Sequence, residues 1–307
     1  MRPFCGRVPV YSALLLLACT RAHGGSPAQA LEFRIDLAKK TKFFEGEPIY
    51  AVLTLRNASA DTVRITHFGL VEDWLSWSVR RSDGTRVQHR ADAHVDWTCA
   101  RPGACRLPTD PLAPGAARYR PLILQTSWGE EGALSGSSYY YHLPAGGYVL
   151  EASFRVSDSA AASVVAPPVS FRVRPRTQGE DTAYAGFVRW GAIDVRQWTD
   201  ANLDSALAWV SRRLVADSAD PFSVALLISS ASRTMRPPVD SAKIARYYDL
   251  MLINAEAQAT QPAGALAAIY LVGSGFKHFG HPTLDVPARL GTTLAGDVAR
   301  EFARRHR

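Results

Sequence analysis

His278, Phe279, Gly280 and His281, with Asp285 a few positions on, bring two imidazoles and a carboxylate into one short stretch. That donor set could hold a transition metal. Gly280 and Pro282 make the segment a loop, however, and metal ligands need fixed geometry and supporting partners. The pair therefore reads as loop histidines, and no metal is expected. Ser274-Gly275-Phe276-Lys277 has the Ser-x-x-Lys spacing of an acylated serine beside its lysine. That chemistry also needs a Lys-Thr-Gly strand, which the sequence lacks, and Ser274 falls late in its helix. Asp200-Ala201-Asn202-Leu203-Asp204 opens like a calcium loop, but the sixth position is Ser205 and the twelfth Ser211. A helix cap at Thr199 or Asp200 is the better reading. Neither Gly-x-Ser-x-Gly, His-Glu-x-x-His nor a phosphate loop occurs, so no catalytic residue and no cofactor is expected.

The first residues have a chemistry of another kind. Arg2 and Arg7 precede an apolar run from Val8 to Ala18, too short to span a bilayer and of signal-peptide dimensions. Leu16-Leu17-Ala18-Cys19 resembles the lipobox of bacterial lipoproteins, which implies cleavage after residue 18 and lipidation of Cys19. Leu17 departs mildly from that pattern. Ala28-Gln29-Ala30 is a competing site for ordinary signal peptidase, which would leave a periplasmic or secreted protein. Residues 19–30 are small and polar, like a flexible tether. Thr20 in place of Asp implies an outer-membrane lipoprotein, with the membrane as a partner through the lipid anchor.

In an exported chain, Cys99 and Cys105 form an even pair, most simply a disulfide closing a short loop around Pro102-Gly103. Trp97 lies two positions before it. Trp97, Trp128, Tyr139 and Tyr141 fall in or beside loops and strand ends, where exposed aromatics suit contact with a glycan or a protein chain. The alternative is that these aromatics, with Trp74 and Trp77, simply pack the sheets.

The frame that must position these residues comes from periodicity. Ile49, Ala51, Leu53 and Leu55 alternate with Tyr50, Val52, Thr54 and Arg56, which predicts a strand with one face turned to a core. Glu45-Gly46-Glu47-Pro48 is the turn that feeds it. Further alternation at Phe33–Leu37, Leu75–Val79, Tyr148–Val156 and Val169–Val173 predicts strands, with a hairpin through Ser82-Asp83-Gly84-Thr85 and a return strand from Val87. Tyr119–Leu124 and Tyr139–Leu143 also look extended. Pro102, Pro108, Pro111 and Pro114 predict an irregular loop over residues 90–117. Pro144-Ala145-Gly146-Gly147-Tyr148 resembles the approach to a late strand of immunoglobulin-like domains, in which the Tyr closes a corner. About eight strands over 31–175 resemble a bacterial immunoglobulin-like β-sandwich, a likeness that implies fold and no chemistry.

After Arg174-Pro175-Arg176 the period becomes helical. Stripes run through Leu203–Leu214, Val224–Ala231, Ile244–Leu252, Leu266–Gly273 and Leu290–Phe302. Five or six amphipathic helices over 176–307 predict an all-α helical-hairpin bundle. The joined architecture is similar to exported bacterial lipoproteins of unassigned activity.

The +7 formal charge is partly a leader effect: residues 1–30 hold three arginines and no acid. Residues 31–175 carry 17 basic and 15 acidic side chains and residues 176–307 carry 15 and 13, so neither half has a nucleic-acid-binding balance. The sequence thus reads as signal peptide 1–18, tether 19–30, sandwich 31–175 and helical domain 176–307. Its expected role is an envelope-anchored, non-catalytic interaction module with a protein or glycan partner. An enzyme with its site in the helical domain or interdomain cleft, and an assembly factor docking through the helices, are the alternatives.

Overall fold

The computed structural model describes residues 27–38, 41–66, 68, 75–88, 109–126, 129, 142–156, 163–191, 199–234, 240–273 and 285–305. Its first part is β. The strands are β1 (Leu31–Leu37), β2 (Lys42–Phe44), β3 (Tyr50–Asn57), β4 (Val63–Thr66), β5 (Leu75–Arg81), β6 (Thr109–Leu112), β7 (Ala117–Ile123), β8 (Gly146–Arg155), β9 (Ser163–Val165) and β10 (Val169–Arg174). Among the described residues seven helices follow: α1 (Gln178–Gly191), α2 (Asp200–Ala216), α3 (Pro221–Thr234), α4 (Ser241–Ala257), α5 (Pro262–Gly273), α6 (Val286–Leu290) and α7 (Leu294–Arg305).

One sheet has the order β1-β3-β7, antiparallel throughout. A second has the order β2-β10-β8-β5, with β9 also on β8 and β2 parallel to β10. Their period-two apolar sets share one core: Phe33, Leu53 and Leu55 from the first sheet, Leu150, Phe154 and Phe171 from the second. The Tyr148 hydroxyl donates to the Pro144 carbonyl at 2.6 Å, the corner contact that the Pro144–Tyr148 motif predicted.

Several expectations need correction. β3 does not have one buried face. Tyr50, Val52 and Thr54 are buried like Leu53 and Leu55: helices cover Tyr50 and Val52, and Thr54 donates its hydroxyl proton to the Asp36 carboxylate at 3.1 Å. Pro111 does not prevent a strand: β6 pairs with β4 in a two-stranded sheet, and Pro111 lies opposite Arg64. A ribbon this short leaves outward positions where a missing N–H costs little. The chain does fold back after the Ser82–Thr85 turn, with an Arg80–Arg86 bridge and the Val87 N–H donating to the Val79 carbonyl at 3.3 Å, and the rest of the expected return strand lies outside the described residues.

Helix α1 was not anticipated, yet its start was written in the sequence. Glu180 reaches back to the Thr177 backbone N–H at 2.8 Å, one half of a capping box. The 290–302 stripe is two helices, because Gly291 at φ +59° breaks it. α5 was expected to be amphipathic, but Pro262 to Ala268 are all buried. A helix apolar on every side belongs in an interior. Here α5 lies between α4, α7 and the outer face of β3. Gly264 permits the close approach to the end of α4, since a Cβ there would run into the Gln258 carbonyl oxygen.

Candidate functional site

The seam between the first sheet and the helices is built around β3. Tyr50 projects from its outer face, donates its hydroxyl proton to the Pro221 carbonyl at 2.6 Å and accepts from the Ala225 N–H at 3.1 Å. Pro221 is the first residue of α3 and Ala225 the fifth, so the hydroxyl engages a carbonyl and an N–H spaced as an i, i+4 pair of the helix. Burial raises the Tyr50 phenol well above its ordinary range, so it stays a neutral donor and acceptor. Two positions on, Val52 packs with Ala265 of α5 and Val298 of α7. Burying such a side chain is worth about 1.5–3 kcal/mol, available here only with the helices in place.

Where α3, α5 and α7 meet β7 the seam does not close. It leaves a cleft of about 620 Å³. β7 contributes Tyr119 through Ile123, and the facing wall is Ile228, Leu266, Ile269, Tyr270 and Phe302. Phe302 lies over Gly273, where a Cβ would come within 2.8 Å of its ring. Arg120 and Arg305 are the charged groups of the lining, and no carboxylate is among its described residues. Burial raises the phenols of Tyr119 and Tyr270, and Arg120 partly opposes this at Tyr270. At neutral pH both remain hydrogen-bond donors.

Beside this cleft lies a buried ionic cluster. Glu301 of α7 has an oxygen 2.8 Å from Nε of Arg305 and 3.4 Å from Nε of Arg118, and the Glu301 and Arg118 side chains are each 6% exposed. Burial pushes the Glu301 carboxyl up, against the pull of Arg305, Arg118 and Arg304. Burial likewise lowers Arg118. Among the described residues, Nη1 of Arg118 has no hydrogen-bond partner. Asp110 also acts on Arg118, but Arg118, Arg304 and Arg305 together outnumber it and Glu301, so this end of the seam is positive.

A second cleft, of about 570 Å³, flanks Tyr50 on the side of the Glu45–Pro48 turn. Glu47, Asp217, Gln258 and Gln261 give it acidic and amide character, and no cation lines it among the described residues. Several of those groups are already engaged in holding the fold. The Glu47 carboxylate accepts from the Phe44 N–H at 3.1 Å, and the Glu47 carbonyl accepts from Nε2 of Gln125 at 2.5 Å. Asp217 accepts from the Ala219 N–H at 2.9 Å. Gly46, at φ +78° and with Tyr184 against it, lets this turn pass beneath α1.

The residues singled out from sequence fare unevenly. Cys19, Cys99, Cys105, Trp97, Trp128, Tyr139 and Tyr141 lie outside the described residues, as do Trp74, Ser274, Lys277, His278 and His281. Asp285 caps α6 by accepting from the Ala288 N–H at 3.2 Å. Thr199, rather than Asp200, caps α2. Among the described residues no group of three or more His, Cys, Asp or Glu side chains could hold a metal, and no helix is long and apolar enough to cross a membrane. Sequence reasoning passed over Tyr119, Arg120, Tyr270 and Arg305 as site residues. The one available signal was Tyr270, a polar-tipped ring within an otherwise apolar helix. Comparison with protein-family models finds no match, and comparison with curated proteins finds none either.

Proposed function

We propose that this protein is an envelope-anchored binding module whose ligand site is the cleft between β7 and helices α3, α5 and α7. The observation that carries this reading is the cavity of about 620 Å³, lined by aliphatic and aromatic side chains with a few polar groups at its rim. That size and mixture are typical of small-ligand sites. The fold reading behind it is an immunoglobulin-like β-sandwich joined to a helical-hairpin bundle. Two sheets around a common core and the Tyr148–Pro144 corner bond support the first half. The antiparallel neighbours α4 and α5, joined by a short turn, support the second. Anchoring is inferred from Leu16-Leu17-Ala18-Cys19, and a Cys99–Cys105 disulfide fits the export route.

Two experiments test the reading. The neutral probe phenylnaphthylamine should bind the folded protein stoichiometrically. Ile269→Trp, which fills the cleft from α5, should abolish that binding while leaving the unfolding transition in place. Binding that persists unchanged in the filled variant would place the site elsewhere. For anchoring, Cys19→Ser should lose palmitate labelling; unaltered labelling removes the lipoprotein reading.

A further inference from the structure

The cleft also carries information about what it would hold. Resting on the reading of this cleft as the ligand site, we infer that its ligand is a free single-chain carboxylate of the fatty-acid class, with the chain against α5 and β7 and the head at Arg120 and Arg305. Charge is the first argument. Arg120 and Arg305 are the ionic groups of the lining, and the neighbouring Arg118 and Arg304 add positive potential that Glu301 and Asp110 offset only in part. A guanidinium fork matches a carboxylate in shape as well as charge, and such charge-assisted bonds are the strong ones. Tyr119 and Tyr270 add neutral phenols to the same lining, able to donate to an anion and unable to repel it.

The apolar part comes next. Leu122, Ile123, Ile228, Leu266 and Ile269 form an aliphatic wall with no ionic group, suited to a hydrocarbon chain. A peptide adding to the edge of β7 is the obvious rival. In the order β1-β3-β7 that strand has β3 on one side, and no described strand lies on the other. But Pro121 sits in its middle and has no N–H to offer a further strand, the device that blunts sheet edges against such pairing. The opposite polarity of the second cleft, with Glu47 and Asp217 in its lining, explains why an anion would choose this one.

The test is displacement of phenylnaphthylamine from the full-length protein by three ligands of equal chain length: dodecanoate, dodecanol and dodecyltrimethylammonium. Dodecanoate should displace the probe at a concentration roughly tenfold or more below the alcohol, with the cation weakest, as expected for one charge-assisted contact. Arg120→Gln, at an exposed rim position, should erase most of that preference without shifting the unfolding midpoint. Arg305→Gln should act in the same direction. Equal displacement by acid and alcohol would overturn the head-group assignment and leave the cleft reading standing. Failure of all three to displace a probe that Ile269→Trp does exclude would also overturn it, in favour of a differently shaped ligand. A preference that survives both arginine variants would place the carboxylate elsewhere.

Discussion

The two clefts share a wall and differ in how it is held. Tyr50 lines one and Ile123 the other, and these two residues are register partners across β3 and β7. On the Tyr50 side the sheet meets the helices through neutral hydrogen bonds from Tyr50 to the backbone at the start of α3, and the Glu47 turn beside it is itself held by Gln125. Such bonds fix position and saturate their partners. On the Ile123 side the contact rests on apolar packing and on the Arg118–Glu301–Arg305 cluster, where cations exceed anions. The first end is complete in itself. The second keeps unspent positive charge next to an apolar cavity. The lesson is that a candidate cleft need not carry a sequence motif: it can be what remains when two elements meet and their polar groups do not balance.

Removing the carboxylate gives the sharpest way to break this contrast. Glu301→Gln leaves Arg118 buried without a counter-charge, which costs about 3–5 kcal/mol for a buried pair. Urea unfolding should show a loss of that order, and hydrogen exchange should show α7 opening before the N-terminal turn of α3. A loss below about 1 kcal/mol would mean that Arg118 is solvated and the two ends are more alike than described. Tyr50→Phe strikes the other end. It removes a donor and acceptor from buried backbone groups, worth about 1–3 kcal/mol, and should leave the α7 amides protected. If both variants loosen the same helices, the seam is one cooperative contact and the contrast fails.

The smallest effect lies beyond the turn, at α1. The Arg174 guanidinium and the Thr177 backbone hold the Glu180 carboxyl down to about 2, below its ordinary 4.5. A lowered carboxylate contributes stability that is fully present above its unfolded pKa. That contribution is lost as pH falls from about 4.5 through about 2. Glu180→Gln should therefore cost about 0.3–1.5 kcal/mol at neutral pH, the range for a cap or dipole contact, and should flatten the acid side of the stability profile. An unaltered acid limb would mean the capping contact does not form in solution.

Much of the framework was legible because local patterns determine it. Alternation placed β1, β3, β8 and β10 within a residue or two, and the stripes at Leu203–Leu214 and Ile244–Leu252 are buried as spaced. The Pro144–Tyr148 corner and the Thr199 cap are contacts between near neighbours, which sequence can specify. α1 was missed although Thr177 and Glu180 signalled it, because its apolar face is sparse: Ala183, Phe187 and Gly191.

What the sequence determined by itself is the kind and order of the elements, strands to Arg174 and helices from Gln178, since period and capping are properties of adjacent residues. Only the tertiary structure decided that β3 is buried on both faces. Tyr50 and Val52 look like the solvent side of a strand until α3, α5 and α7 are laid on them, and no local pattern announces a partner some 170 residues away. The cleft follows from that same docking. Arg120 and Tyr270 are 150 positions apart and ordinary in their own surroundings, and they share a site because α5 packs on β3 and β7.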